Sequence, residues 1–160
     1  MHPELNPQDW LALVQLQADY AAVVDAGDWD AWCALFTDDA PYRITPRENF
    51  ERGFPLATLS LRGRGQRQDR IYGIRETLFH DPYYQRHVLG LPRVLAVEGG
   101  DIRCETNYAV FRTKLSQEST VFNVGRYLDT VRRTPAGWRL AARECVYDTE
   151  LIPNSIIYPI

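Results

Sequence analysis

From position 86 to position 151 the chain is a run of strand candidates separated by short turns, and no other feature constrains the fold as tightly. "RHVLGLPRVLAVEG" closes on the turn signal Gly99-Gly100, and "DIRCETNYAVFRTKL" follows it directly. "STVFNVGRYLDTVRRT" comes after a polar break, and "PAG" (135–137) turns the chain into "WRLAARECVYDTEL". Strands joined by connections this short pair with their neighbours in sequence, so these four segments predict an antiparallel meander. Such a sheet keeps one apolar face that another layer must cover.

The first third of the chain supplies that layer. Asn6 followed by Pro7 reads as an N-cap with proline at the first helical position. Trp10, Leu13, Val14, Gln17, Ala21 and Val24 then recur at helical spacing, predicting a helix from about Pro7 to Ala26 that ends near Gly27. Asp28 caps a second, shorter helix, "WDAWCALF" (29–36), and "TDDAPYRI" turns into a short strand around Tyr42–Ile44. The polar "RENFERG" reads as loop, "FPLATLSL" (54–61) as a strand candidate, and Ile71, Ile74 and Leu78 as one helical face. Helices first and antiparallel strands last give an α+β domain, its curved antiparallel sheet closing over the N-terminal helices. No internal repeat, low-complexity segment or linker divides residues 1–160, so one domain is expected.

Bulk properties exclude several function classes. Eighteen basic against 21 acidic residues give a net charge of −3, whereas a nucleic-acid binder needs a strongly basic face. The densest basic stretch, "RGRGQRQDRIYGIR" (62–75), is interrupted by Asp69 and followed by Glu76, which reads as a solvated or ion-paired face rather than an anion site. No apolar run approaches the ~20 residues of a membrane span. "MHPELNPQDW" lacks the basic and apolar regions of a signal peptide. Cys33, Cys104 and Cys145 are widely spaced and odd in number, which fits reduced thiols in a cytoplasmic protein.

Sites for chemistry are sparse. The only histidines are His2, His80 and His87. With His2 in a tail, His80, Asp81 and His87 form the one conceivable two-histidine, one-carboxylate set for a mononuclear iron. Pro82 lies between these histidines, and residues seven apart in a loop-to-strand segment need not face one point. No two cysteines lie close enough for an iron–sulfur cluster, and "GRG" (63–65) is too short for a phosphate loop. No Gly-x-Ser-x-Gly elbow is present. Acid–base chemistry by Asp25, Tyr42 and His87 on an apolar substrate between sheet and helices is the remaining enzymatic reading, as in a dehydratase or isomerase. The alternatives are a helix-terminal charge for Asp25 and a core position for Tyr42. A small-ligand-binding domain without catalysis is a further class, distinguished by whether the chain's own aromatics fill the pocket.

The final ten residues, "LIPNSIIYPI", are apolar and uncharged where chain ends are usually polar and solvated. They either tuck into the chain's own core or are covered by another chain.

A family resemblance bears on this choice. "DWDAWCALFTDDAPYRITPRENFERG", "DRIYGIRET", "YYQRHVLGLPRV", "NYAVFRTK" and "CVYDTELIPNSIIYPI", in this order from about Trp10 to Ile160, resemble the small, or beta, subunit of bacterial aromatic-ring-hydroxylating dioxygenases. The resemblance implies a cone-like α+β fold similar to nuclear transport factor and steroid-isomerase-like domains. It implies no catalytic, cofactor-binding or metal residue in this chain. The Rieske iron–sulfur cluster, mononuclear iron and substrate pocket would lie in a partner alpha subunit, supplied with electrons from NADH through a reductase. Three beta subunits would pack around a threefold axis beneath the alpha subunits, as a trimer within a hexamer. "PRENFERG" with "IPNSIIYP" is most similar to subunits acting on aromatic carboxylates of the salicylate, anthranilate, halobenzoate or benzoate type. The tail residues Ile152, Pro153, Ile156, Ile157, Tyr158, Pro159 and Ile160 are then expected at a subunit interface, where prolines lower the entropy lost on docking.

Overall fold

The computed structural model describes residues 5–153 and 155–160, so His2 lies outside the described residues. Helix α1 spans Pro7–Ala26, as the spacing predicts. The Asn6 side chain accepts from the Asp9 N–H at 2.8 Å, and Gly27 closes the helix in the left-handed region at φ 68°. Its buried stripe is Leu13, Leu16, Gln17, Tyr20 and Val24, with Trp10 and Val14 only half-buried beside it. Helix α2 (Trp29–Ala34) starts on Asp28, whose carboxylate accepts from the Ala31 N–H. Between them, these two helices place Tyr20, Trp29, Trp32 and Val24 over the sheet.

The middle of the chain departs from expectation. "RENFE" is a short helix, α3 (Arg47–Glu51), held by exposed i,i+4 pairs such as Arg47–Glu51. Of the predicted 54–61 strand only residues 59–61 are in β2, which spans Leu59–Arg62. Helix α4 (Gly63–Tyr72) continues into a π-helical turn, Gly73–Thr77. The basic stretch is not a solvated face throughout. Arg67 is fully buried, donating to the carbonyls of Ala40 and Thr37 with its guanidinium over the Phe36 ring.

Five strands, not four, form the C-terminal half: β3 (Tyr84–Leu89), β4 (Arg93–Glu98), β5 (Asp101–Thr113), β6 (Thr120–Thr134) and β7 (Gly137–Tyr147). Gly90-Leu91-Pro92 splits the first predicted strand, because proline carries no N–H for a ladder. Its two halves, β3 and β4, both pair with the long β5. Strand β1 (Pro41–Pro46) pairs antiparallel with β2 and parallel with β7. The sheet, ordered β2-β1-β7-β6-β5-β3, is therefore mixed rather than purely antiparallel. The meander has no tight turn to β1, so nothing local fixes the direction of that contact.

Bulges curve the sheet and choose which side chains face inward. The register slips at Ala141, where Thr130 pairs with Ala142 but Val131 pairs with Leu140. Strict alternation from Leu140 would send Ala142 and Glu144 inward; the extra residue sends Arg143 and Cys145 instead. Gly125 permits the tightest approach: a Cβ there would sit 2.1 Å from the Val146 carbonyl oxygen. Among the described residues no helix is long and apolar enough to cross a membrane.

Candidate functional site

Between α1, α2 and the concave sheet face the chain's own aromatic side chains pack against one another. Tyr108 and Tyr127 stack at 4.3 Å between ring centroids, with Tyr20 edge-on to Tyr127 at 5.7 Å. Trp32, Phe36 and Tyr42 form a second edge-to-face group, with Trp32 and Tyr42 5.3 Å apart. Such pairs add about 0.5–1.5 kcal/mol each beyond the area they bury.

The bulge at Ala141 delivers a charge into this aromatic interior. Arg143 lies between Tyr20 and Tyr127, its Cζ 3.9 and 4.0 Å from their ring centroids. It donates to both carboxylate oxygens of Asp129 at 2.8 and 2.7 Å and to Gln17 Oε1 at 2.6 Å. Gln17 Nε2 donates to Asp129 Oδ2 at 2.7 Å, closing the network. Burial alone would weaken the guanidinium's hold on its proton, but Asp129 outweighs it and raises the Arg143 pKa well above the usual value. Sequence reasoning missed this network because alternation points Arg143 outward.

Of the predicted acid–base set, the fold unites two members. Asp25, in the last turn of α1, accepts from His87 Nδ1 at 2.6 Å and from the His87 backbone N–H at 3.0 and 3.1 Å. The exposed Arg86 guanidinium stands 3.7 Å from the same carboxylate. Nδ1 therefore carries a proton, and Nε2 points into the filled interior with no hydrogen-bond partner among the described residues. Tyr42 belongs elsewhere: its hydroxyl donates to the Ile160 main-chain oxygen and accepts from the Ile160 N–H, both at 3.0 Å.

His80, Asp81 and His87 do not converge. His80 Nδ1 faces the Leu78 carbonyl and Nε2 the Tyr158 hydroxyl at 2.7 Å, while Asp81 pairs with Lys114 at 2.8 Å. Among the described residues no three His, Cys, Asp or Glu side chains gather for a metal. The buried phenols and the Cys145 thiol of the interior are also held protonated. Burial pushes the Tyr20 hydroxyl and the Cys145 thiol up to about 12, and it raises Tyr42, Tyr108 and Tyr127 well above the usual phenol range.

The tail divides between the two readings offered for it. Ile160 is fully buried, its oxygen accepting from Tyr20 at 2.6 Å as well as from Tyr42. Gln85 donates to the Pro159 carbonyl, and Arg70 donates to those of Ile156 and Ile157. Ile156, Pro159 and Ile160 are thus buried within their own chain. Ile152, Ile157 and Tyr158 are partly exposed and Pro153 is exposed.

Comparison with known proteins places the fold and the family together. Residues 8–144 match the SnoaL-like domain family. The chain is 32% identical over 151 residues to the anthranilate 1,2-dioxygenase small subunit of Burkholderia cepacia, covering 94% of each chain. It is 27% identical to a beta subunit of the terminal oxygenase component of terephthalate 1,2-dioxygenase from Comamonas sp., over 94% of this chain and 97% of that one. The crystal structure of a beta subunit ascribed to an aromatic-ring-hydroxylating dioxygenase of Novosphingobium aromaticivorans superposes with a TM-score of 0.86 at 30% identity, covering 95% of this chain and 97% of that one. A SnoaL-like cone with helices ahead of a curved mixed sheet, matched along nearly its whole length by these subunits, belongs to the family of small, beta-type subunits of aromatic-ring dioxygenases.

Proposed function

We propose that this chain is the non-catalytic structural subunit of a multicomponent oxygenase, supporting an alpha subunit that hydroxylates an aromatic carboxylate. The observation that carries the reading is the filled cone: Tyr20, Tyr42, Tyr108, Tyr127, Trp32 and Arg143 occupy the space a substrate would need. The relatives support the substrate class, since anthranilate and terephthalate are both aromatic carboxylates. Rieske and mononuclear iron chemistry, with NADH-derived electrons, then belongs to the alpha partner, a reading that the relatives' description as small and beta subunits supports. We further place further copies of the chain in the assembly, as a trimer within a hexamer of alpha and beta subunits. Ile152, Pro153, Ile157 and Tyr158, the accessible residues among those expected at an interface, are the ones we assign to contact with a neighbouring subunit. Three unpaired cysteines support a cytoplasmic setting.

Asp25 and His87 favour one second reading, an acid–base enzyme of the same cone fold, since a carboxylate-oriented imidazole is a general base in outline. Its drawback is room: Nε2 faces packed side chains. Co-expression with the neighbouring oxygenase frame separates the two. A complex with a chain carrying Cys-x-His and Cys-x-x-His pairs, active only when both are present, is the expected result. Turnover of an aromatic acid by the isolated chain, lost in His87→Ala, would replace the scaffold reading with the second one.

A further inference from the structure

Beside the tail, Phe79, His80, Asp81, Tyr83, Arg112 and Lys114 surround a cleft of about 220 Å³ bounded by Ser155 and Ile157. Arg112 reaches it from the end of β5. Its guanidinium lies over two rings, 5.6 Å from the Tyr83 centroid and 5.3 Å from that of Phe122. Among the described residues it makes one long hydrogen bond, 3.5 Å to the Pro153 carbonyl, and no carboxylate pairs with it. An arginine has five N–H donors in a fixed fork that matches a carboxylate. Here the two rings flank that fork, and most of its donors have no partner among the described residues.

The neighbours of Arg112 add charge and apolar surface. Lys114, only 16% exposed along its side chain, pairs with Asp81 at the rim, whose side chain is 71% exposed. That pair leaves the cleft's net charge to Arg112. Phe79 stands fully out of the fold beside it, and Tyr83 and Ile157 supply further apolar surface. Ligand sites combine such apolar walls with a few fixed polar groups.

We propose that this cleft binds a small aromatic monocarboxylate, with Arg112 as the anion anchor and Phe79 and Tyr83 as the walls for its ring. A benzoate-sized molecule suits the volume, and two parallel N–H···O bonds from one guanidinium suit its head. The preference for an aromatic over an aliphatic acid rests in part on the proposed function, which makes such acids the molecules the assembly meets.

The test uses the isolated full-length chain, so no alpha-subunit pocket contributes. Sodium benzoate, acetate, cyclohexanecarboxylate and benzamide are titrated at matched ionic strength by calorimetry and by saturation-transfer NMR. Benzoate is expected to bind at least tenfold more tightly than acetate, which lacks the ring, and than benzamide, which lacks the charge. Its affinity is expected to fall as salt is raised. Arg112→Gln and Phe79→Ser are each expected to weaken benzoate at least tenfold with the melting temperature retained. Equal binding of benzoate and acetate, or benzoate affinity unchanged in Arg112→Gln, overturns the site. Should Arg112→Gln fail to fold, the benzoate-to-benzamide ratio on the native chain decides by itself. Co-purification with an oxygenase partner is read separately, so a chain that assembles but ignores benzoate loses this site alone. A chain that binds benzoate but finds no partner loses the scaffold reading alone.

Discussion

Arg143 and Arg112 are both held between two aromatic rings, yet one closes the protein and the other faces outward. Arg143 meets a carboxylate, an amide and two phenol rings within 4.0 Å, all inside the fold. Arg112 has rings at 5.3 and 5.6 Å and a single long bond to a carbonyl. The difference is the counter-charge. Where Asp129 is built in, the guanidinium is spent on specifying one packing of the cone; where none is built in, its donors remain for a molecule from outside.

Alkali gives the largest separation between these regions. The interior phenols have folded pKa values raised above their ordinary value near 10, with Tyr20 at about 12 and Tyr42, Tyr108 and Tyr127 well above the usual range. A group raised in this way contributes stability in full below its unfolded pKa, and loses it as pH climbs to the folded value. Stability should therefore be flat to about pH 9 and collapse between roughly pH 10 and 12. Urea melts with phenolate absorbance should show these tyrosines ionising together with unfolding. Their ionisation at pH 10 in a still-folded protein would mean the interior is open to water.

Next in size is removal of each arginine in turn. Arg143→Met leaves Asp129 as an uncompensated buried charge, which costs about 3–5 kcal/mol. For a chain of this length that lowers the melting temperature by roughly 6–20 °C. Arg112→Gln, in a half-exposed position with no ion pair to lose, should stay within about 1 kcal/mol of the parent. Equal losses in thermal melts would erase the distinction between the two sites.

The tail offers the finest version of the same contrast. Ile160→Ala empties a fully buried position and should cost about 2–5 kcal/mol. Pro153→Ala, at an exposed position, should leave the melt within about 0.5 kcal/mol and act on assembly instead. Sedimentation of each variant with its partner reads the second effect, and unchanged association in Pro153→Ala would remove that residue from the interface.

Much of this was legible in the linear chain because it rests on local chemistry. Asn6-Pro7 and Gly27 delimit α1, and alternation with Gly99-Gly100 and Pro135-Ala136-Gly137 marks the later strands. Propensity did not predict α3, whose polar "RENFE" is held by i,i+4 ion pairs and by packing on β1 and β7. Asp25 and His87 were paired by residue type alone; their contact depends on β3 lying against α1, 62 positions apart in sequence.

What the sequence by itself determined is therefore the placing of helices before strands, the α+β class and, through motifs spread along its length, the family. Only the tertiary structure decided which arginine is buried, because one extra residue at Ala141 reverses the side of the sheet that Arg143 occupies. It also decided the fate of the tail, since an apolar end reads the same whether it meets its own core or another chain. The answer came from Tyr20, Tyr42, Arg70 and Gln85, four residues far from it in sequence whose hydrogen bonds draw it into its own fold.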